Sequence, residues 1–166
     1  LYVHWPFCRA KCPYCDFNVY AAKTRDPAPL LTAWKRDLSY WRERTGPRRI
    51  DSIFFGGGTS SLIPPNDVAG LIGFMDDLWG LSQNPEISLE ANPDDAPHFP
   101  DLASAGINRL SLGVQSLDDG ELKFLGRSHD ASLALEAVKI AQDRFRSLSL
   151  DFIYALPGQG TDQWRN

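Results

Sequence analysis

The sequence predicts an α/β fold in which parallel strands alternate with helices. Short apolar runs alternate along the chain with longer segments that carry apolar residues at helical spacing. Polar or Gly-rich residues directly follow the apolar runs, as in the stretches GGGTS, LEANP, GVQS and YALPG. Strand–helix–strand units pair their strands in parallel, because right-handed crossovers lay the helices over the sheet. This periodicity alone leaves open whether the sheet belongs to a barrel or is doubly wound.

The first half of the chain contains two predicted strand–helix pairs. A strand over 1–5 precedes a helix over about 29–44, whose apolar stripe is Leu30, Leu31, Trp34, Leu38 and Trp41. A second strand over 50–55 precedes a helix over about 65–79 that begins with a proline, a residue suited to the first helical position. The apolar stripe of that helix is Val68, Leu71, Ile72, Met75 and Trp79.

Three more strands are predicted in the second half. A strand over 86–90 precedes a short helix near 97–104 that Gly106 ends, and a strand over 108–114 precedes helices over 118–125 and 131–144. The fifth strand covers 148–154. The chain opens inside a strand pattern without Met, and its last residues resemble a first helical turn. We therefore expect 1–166 to be one domain within a longer protein, with strand ends that converge on a site.

Composition restricts the class of protein. The chain has 166 residues, 43% hydrophobic and 23% charged, which is typical of a globular domain and not of a disordered or collagen-like chain. Its 17 basic and 21 acidic residues give a formal charge of -4, so no nucleic-acid partner is expected. No apolar run approaches the roughly 18 residues of a membrane span, and no signal peptide is recognisable. These features predict a cytoplasmic protein with a small-molecule partner.

The three cysteines carry the most specific pattern. Cys8, Cys12 and Cys15 form CRAKCPYC directly after the first strand. Their odd number and the predicted reducing compartment argue against disulfides. Clustered thiolates suit zinc or an iron–sulfur cluster, and His4 could complete a Cys₃His zinc site. Three thiolates on a four-iron cluster would instead leave one iron open to a ligand. The spacing favours the cluster over zinc.

The CxxxCxxC spacing resembles the signature of the radical S-adenosylmethionine (SAM) superfamily, in which three cysteines hold a [4Fe-4S] cluster whose open iron chelates the methionine part of SAM. The segments LYVHWPFC, FFGGGTS, LEANP, RLSLGVQS, LGR and LDFIYALPGQ resemble the oxygen-independent coproporphyrinogen oxidase group, most closely its HemW branch of haem chaperones. The resemblance runs from residue 1 to about 164. It implies a partial (β/α) barrel of parallel strands with outer helices, a radical SAM core whose remainder lies outside 1–166.

The same resemblance implies roles for individual residues. The cluster ligands would be Cys8, Cys12 and Cys15, with Tyr14 beside the adenine of SAM and Tyr2 touching SAM from the first strand. The segment Gly57, Gly58 and Thr59 would receive the methionine amine and carboxylate, since glycine lets a ligand approach the backbone. Four polar side chains would also contact the cofactor: Glu90, Gln115, Arg127 and Asp151.

The implied function is a haem chaperone that binds haem and passes it to haem proteins, with an electron donor such as a flavodoxin or ferredoxin. The alternative is a coproporphyrinogen III oxidase that decarboxylates its substrate in porphyrin biosynthesis, and a structural zinc protein is a third class. The oxidases carry a further cysteine where this chain has Phe17, which argues against that activity. Ser60 and Ala155 replace a usual proline and glycine, and affect local loop geometry only.

Overall fold

The computed structural model describes residues 1–22 and 26–165. Its strands, in chain order, are β1 (Tyr2–Trp5), β2 (Phe7–Cys8), β3 (Tyr20–Ala21), β4 (Ile50–Gly57), β5 (Leu81–Ala91), β6 (Arg109–Gln115) and β7 (Ser147–Phe152). Its α-helices are α1 (Ala28–Thr45), α2 (Pro65–Trp79), α3 (Phe99–Ser104), α4 (Asp119–Phe124), α5 (Ala131–Arg144) and α6 (Thr161–Arg165). Short 3₁₀ helices lie at Ser60–Leu62 and Pro93–His98.

The main sheet has five parallel strands in the order β1-β4-β5-β6-β7. This order follows the chain without reversal, whereas a doubly wound sheet reverses direction at a switch point. Helix α1 packs on α2, α2 on α3, and α3 on α5, so these helices form one continuous layer. The predicted α/β fold with a partial barrel of parallel strands and outer helices is therefore confirmed.

An apolar core lies between the sheet and this helical layer. Strand residues such as Ile53, Leu89 and Leu112 are fully buried in it, together with the predicted α2 residues Val68, Leu71 and Met75. The fully buried residues of helix α5 are all small, namely Ala134, Ala137 and Ala141, while the partly buried Val138 and Ile140 pack against the same core. Small residues at this spacing let the helix approach closely, so α5 lies against the Pro93–His98 turn as well as β6 and β7.

Polar side chains tie the last three strands of the sheet together. The Arg109 guanidinium donates hydrogen bonds to Ser88 Oγ on β5 (3.2 Å) and to Ser149 Oγ on β7 (2.5 Å). Ser111 Oγ donates to the Asp151 carboxylate at 2.9 Å. This polar ladder continues towards the carboxyl ends of the strands, where the predicted site residues lie.

Several boundaries differ from the sequence-based predictions. Strand β5 begins at Leu81, well before the predicted residue 86, because Ile50 pairs with Leu81 and a bulge then shifts the register of β4 and β5. The short parallel pair of β2 and β3 was not predicted, since two-residue strands have no periodic signal. Trp41 was predicted on a buried stripe but is 49% exposed, because α1 lies at the edge of the layer and buries none of its residues fully. Residue 166 of the predicted terminal helix lies outside the described residues.

The described helices include none that could cross a lipid bilayer: over 1–22 and 26–165, no helix combines sufficient length with sufficient apolar character.

Candidate functional site

A cavity of about 590 Å³ opens at the carboxyl ends of the strands. Its walls come from the cysteine loop, the end of β4, and the ends of β5, β6 and β7. Every predicted site residue except Tyr2 lines it: Cys8, Cys12, Tyr14, Cys15, Gly57, Gly58, Thr59, Glu90, Gln115, Arg127 and Asp151. The structure thus brings together residues that are separated by more than a hundred positions in the chain.

The cysteine loop is held against the sheet by backbone hydrogen bonds. Tyr20 N donates to Pro6 O (2.7 Å) beside β2, and Thr59 N donates to Phe7 O (2.9 Å). Within the loop, Cys15 N donates to Cys12 O at 3.0 Å. Burial raises the pKa of the Cys8 thiol, hydrogen bonds with Thr59 oppose this rise, and the nearby Cys15 and Cys12 add to it. Three half-buried thiols therefore share one cavity, and this donor set fits an iron–sulfur cluster.

The zinc alternative fits this geometry less well. Zinc needs its ligands to converge at about 2.3 Å from one point, whereas each thiolate of a four-iron cluster binds a different iron. Both ring nitrogens of His4 also have partners: Nδ1 lies 3.2 Å from Tyr2 Oη and Nε2 lies 3.0 Å from Asn18 O. His4 is therefore not presented to the thiols as a fourth ligand.

The glycine segment at the end of β4 packs directly on the cysteine loop. Gly57 has φ +111, a region that favours glycine, and its amide donates to Glu90 Oε2 at 2.9 Å. The amide of Gly58 donates to Trp5 O at 2.6 Å. The backbone amides of Gly57, Gly58 and Thr59 are therefore all bonded within the protein. The glycines serve here to bring β4 close to the loop.

Two carboxylates line the cavity, Glu90 from β5 and Asp151 from β7, with β6 between these strands. Burial raises the pKa of Glu90, the Gly57 amide opposes this, and the negative charge of Asp151 raises the pKa further. Asp151 accepts a hydrogen bond from Ser111. Acceptors in this position suit a ligand with hydroxyl groups or a cationic amine.

Tyr2 lies outside the cavity lining. Its ring stacks on Phe54, with centroids 6.0 Å apart, and its side chain is 59% exposed. The Glu90 carboxylate is close enough to add to the rise in the pKa of Tyr2 that burial causes. The structure therefore places Tyr2 near the site residues but does not place it among them.

Arg127 connects the cysteine loop to the ends of β5 and β6. One terminal nitrogen donates to Asn92 Oδ1 (2.5 Å) and Gly113 O (3.1 Å), and the other to Cys12 Sγ (3.5 Å) and Tyr14 Oη (3.3 Å). Its Nε is buried and finds no partner within the residues described. Burial raises the pKa of Tyr14 to about 12, against the opposing charge of Arg127. Arg127 thus orients both a thiol and the aromatic ring beside it.

Gln115 adopts an unusual backbone conformation at the end of β6. Its φ of 69° lies in the left-handed region, which non-glycine residues occupy infrequently. Its side chain folds back over Gly113, where a Cβ would lie only 2.8 Å from the Gln115 amide nitrogen. Gln115 and Gly113 both line the cavity.

Asn92 and Asp95 were not among the predicted site residues, yet the turn after β5 that they close is central to the site. This turn, Asn92 to Asp95, is closed by reciprocal hydrogen bonds between the Asn92 and Asp95 side chains and each other's backbone amides. Asp95 also accepts from Ser61 Oγ (2.5 Å) and pairs with Arg9 of the cysteine loop. The pattern of a capping residue followed three positions later by an acid could have indicated this turn.

Comparison with known proteins identifies the superfamily of this chain. The Radical SAM superfamily model matches residues 2–166. The bovine protein named radical S-adenosyl methionine domain-containing protein 1, mitochondrial, is 41% identical over 99% of this chain. The heme chaperone HemW of Haemophilus influenzae is 40% identical over 98% of it. The chain spans 38% and 45% of the lengths of these two relatives. The predicted cytoplasmic location is not confirmed, because the bovine relative carries the name mitochondrial.

Solved structures of radical SAM enzymes share the fold of this chain. Coproporphyrinogen III oxidase HemN from Escherichia coli, a radical SAM enzyme, superposes with a TM-score of 0.87 at 26% identity, over 99% of this chain and 39% of that one. A cobalamin-dependent SAM radical enzyme, OxsB, shares the fold with a TM-score of 0.61 at 15% identity. From the matching superfamily model, the relatives and this superposition, we conclude that the chain belongs to the radical SAM superfamily, in the HemN-like family and on its HemW branch.

Proposed function

We propose that this chain is the radical SAM core of a haem chaperone, which binds a [4Fe-4S] cluster and SAM, holds haem and delivers it to haem proteins. The observation that carries the proposal is the shared cavity of Cys8, Cys12 and Cys15 with the polar residues at the strand ends. Its volume of about 590 Å³ is within the range of small-molecule sites, which is about 300–1,000 Å³. The HemW relatives, which are named heme chaperones, support haem as the cargo.

The residues around the cavity would divide the work of binding. The three thiolates would hold the cluster, which supplies an electron to the sulfonium of SAM when both are bound. Glu90 and Asp151 would accept hydrogen bonds from the amine or ribose of SAM, and Tyr14 would cover its adenine. Arg127 would keep Cys12 and Tyr14 in place through its contacts with both. Gln115 would add an amide contact from the end of β6.

The alternative function is oxidative decarboxylation of coproporphyrinogen III, which the structural likeness to HemN favours. Phe17 argues against it. This residue occupies the position of a further cysteine in the oxidases that the chain resembles, it lines the cavity, and its side chain is 55% exposed. The wall at this position is therefore apolar and offers no thiol, which suits the binding of a flat apolar ligand better than an additional redox or acid–base step.

The partners of the proposed function are haem or a porphyrin, haem-accepting proteins, and an electron donor such as a flavodoxin or ferredoxin. The domain assignment of 1–166 as a radical SAM core that forms part of a longer protein belongs to the same proposal. The chain's share of its relatives' lengths supports it.

The test is anaerobic reconstitution of the full-length protein with iron and sulfide, beside a variant in which Cys8, Cys12 and Cys15 are all alanine. The unmodified protein should take up four irons per chain, as a [4Fe-4S] cluster requires, and the variant should take up none. A colourless protein that binds zinc would overturn the cluster assignment.

The loaded protein is then titrated with haem and, separately, with coproporphyrinogen III in the presence of SAM and a reductant. Stoichiometric haem binding without turnover of the porphyrinogen is the expected result. Release of carbon dioxide and 5′-deoxyadenosine with coproporphyrinogen would show that the protein is an oxidase despite Phe17.

A further inference from the structure

Asp95 is a fully buried carboxylate with an unusual set of partners. Its side chain is 0% exposed, and its oxygens accept hydrogen bonds from Ser61 Oγ at 2.5 Å and Asn92 N at 3.2 Å. The remaining partner is the guanidinium of Arg9, which reaches in from the cysteine loop while 46% of its side chain stays exposed. Because a buried charge is costly unless it is paired and hydrogen-bonded, the Arg9 contact completes an environment that Asp95 requires.

The position of Arg9 gives this ion pair its significance. Arg9 directly follows Cys8 and precedes Cys12 in the loop, so a tether at Arg9 acts on the segment between two of the thiols. Cys12 has its own tether, since Arg127 donates to Cys12 Sγ and also to Asn92 Oδ1. The Asn92 to Asp95 turn therefore anchors the loop at two points, once through each arginine.

We infer that Asp95 is a positioning residue for the cysteine ligands: through Arg9 it holds the loop in the cavity and so keeps a bound cluster from being lost. The inference rests on the proposed function for the identity of the bound group. Ordering a loop residue costs about 1–2 kcal/mol of conformational entropy, and a loop that the fold has already ordered does not incur that cost when the ligand binds. Asp95 touches neither the cluster nor its ligands in this role and acts only through Arg9.

The experiment uses the full-length protein, reconstituted anaerobically, and follows the visible absorbance of the cluster after addition of an iron chelator. The variants are Arg9→Gln, Asp95→Asn and the double variant. Lys11→Gln is the control, since it removes a positive charge from the same loop and leaves the Arg9–Asp95 pair in place. Thermal unfolding of each cluster-free form, followed by far-UV circular dichroism, reports the fold separately.

Arg9→Gln and Asp95→Asn should each lose the cluster about tenfold faster than the unmodified protein, a factor that corresponds to about 1.4 kcal/mol. The double variant should be no faster than the faster single variant, because both substitutions remove one interaction. Lys11→Gln should lose the cluster at the unmodified rate.

Other outcomes would overturn the inference in distinguishable ways. If Arg9→Gln keeps the cluster as long as the unmodified protein, or if the effects of the two single variants multiply, Asp95 acts only through Ser61 and Asn92 and has no positioning role. Arg9 lies on a half-exposed loop, so its variant stays informative even where Asp95→Asn fails to fold. If the unmodified protein takes up no iron, the proposed function fails first and the positioning role fails with it.

Discussion

Replacing Gly58 by alanine tests the contact on which the cysteine loop depends. A Cβ at this position would lie 2.5 Å from Phe7 O and 3.0 Å from Trp5 O. Both are backbone atoms, so no side chain can rotate away to make room. Relief requires the end of β4 to separate from the segment that carries Cys8.

The cost of that separation can be worked from the contacts involved. It would stretch two hydrogen bonds, Gly58 N to Trp5 O (2.6 Å) and Thr59 N to Phe7 O (2.9 Å), each worth about 0.5–1.5 kcal/mol. Overpacking in a close-packed region adds about 1–3 kcal/mol. We therefore expect Gly58→Ala to lower the free energy of unfolding by about 3 kcal/mol. If the free energy of unfolding falls by about 2 kcal/mol for each molar of urea, the midpoint of urea unfolding falls by about 1.5 M.

Gly70→Ala is the matched control, because Gly70 lies inside α2 and a Cβ there meets no atom within 4 Å. Alanine in a helix interior is favoured over glycine by about 0.5–1 kcal/mol, so this variant should be slightly more stable than the unmodified protein. The assay is urea unfolding followed by far-UV circular dichroism, with iron uptake measured on the same samples. Equal midpoints and equal iron uptake for the two variants would refute the reasoning.

Three further substitutions give definite expectations. Ala155 has φ 62, so Ala155→Gly should raise the free energy of unfolding by about 0.5–1 kcal/mol; a lower melting temperature would contradict this. The raised pKa of Glu90 favours its protonated form when folded, so its contribution to stability is lost as pH rises through that pKa. Glu90→Gln should therefore melt above the unmodified protein at pH 7, with the difference shrinking as pH falls through the raised pKa of Glu90, while SAM affinity by calorimetry falls. Leu112→Ala should cost about 2–5 kcal/mol in urea titrations, since Leu112 is fully buried; a loss below 1 kcal/mol would argue against its core position.

The regular elements were predicted well where their signal is local. Helix α2 runs over Pro65–Trp79 as predicted, because its proline start and apolar stripe both lie within the segment itself. The start of β5 was placed too late, since Leu81 joins the sheet through Ile50, a residue far away in the sequence. The exposure of Trp41 depends in the same way on where α1 lies relative to the sheet, which the helical pattern does not contain.

The candidate site, like the fold, was predicted only where short segments of sequence carry the information. The cysteine spacing and the polar residues after the strands predicted a site at the carboxyl ends of the strands, because parallel strands share that edge. The individual residues Glu90, Gln115, Arg127 and Asp151 came from the resemblance to the radical SAM superfamily. The spacing could not show that the Gly57, Gly58 and Thr59 amides are bonded within the protein. It also could not show that Tyr2 packs on Phe54 outside the cavity.

What the sequence by itself determined is the order of strands and helices, the spacing of the three cysteines and the place of polar residues after the strands. These depend on periodicity and spacing, which are properties of short segments. Only the tertiary structure decided that Asp95, buried beside the cysteine loop, pairs with Arg9 and that Arg127 reaches Cys12. The physical reason is that such contacts join segments that are distant in the chain, and their partners are fixed by how the strands and loops pack in space.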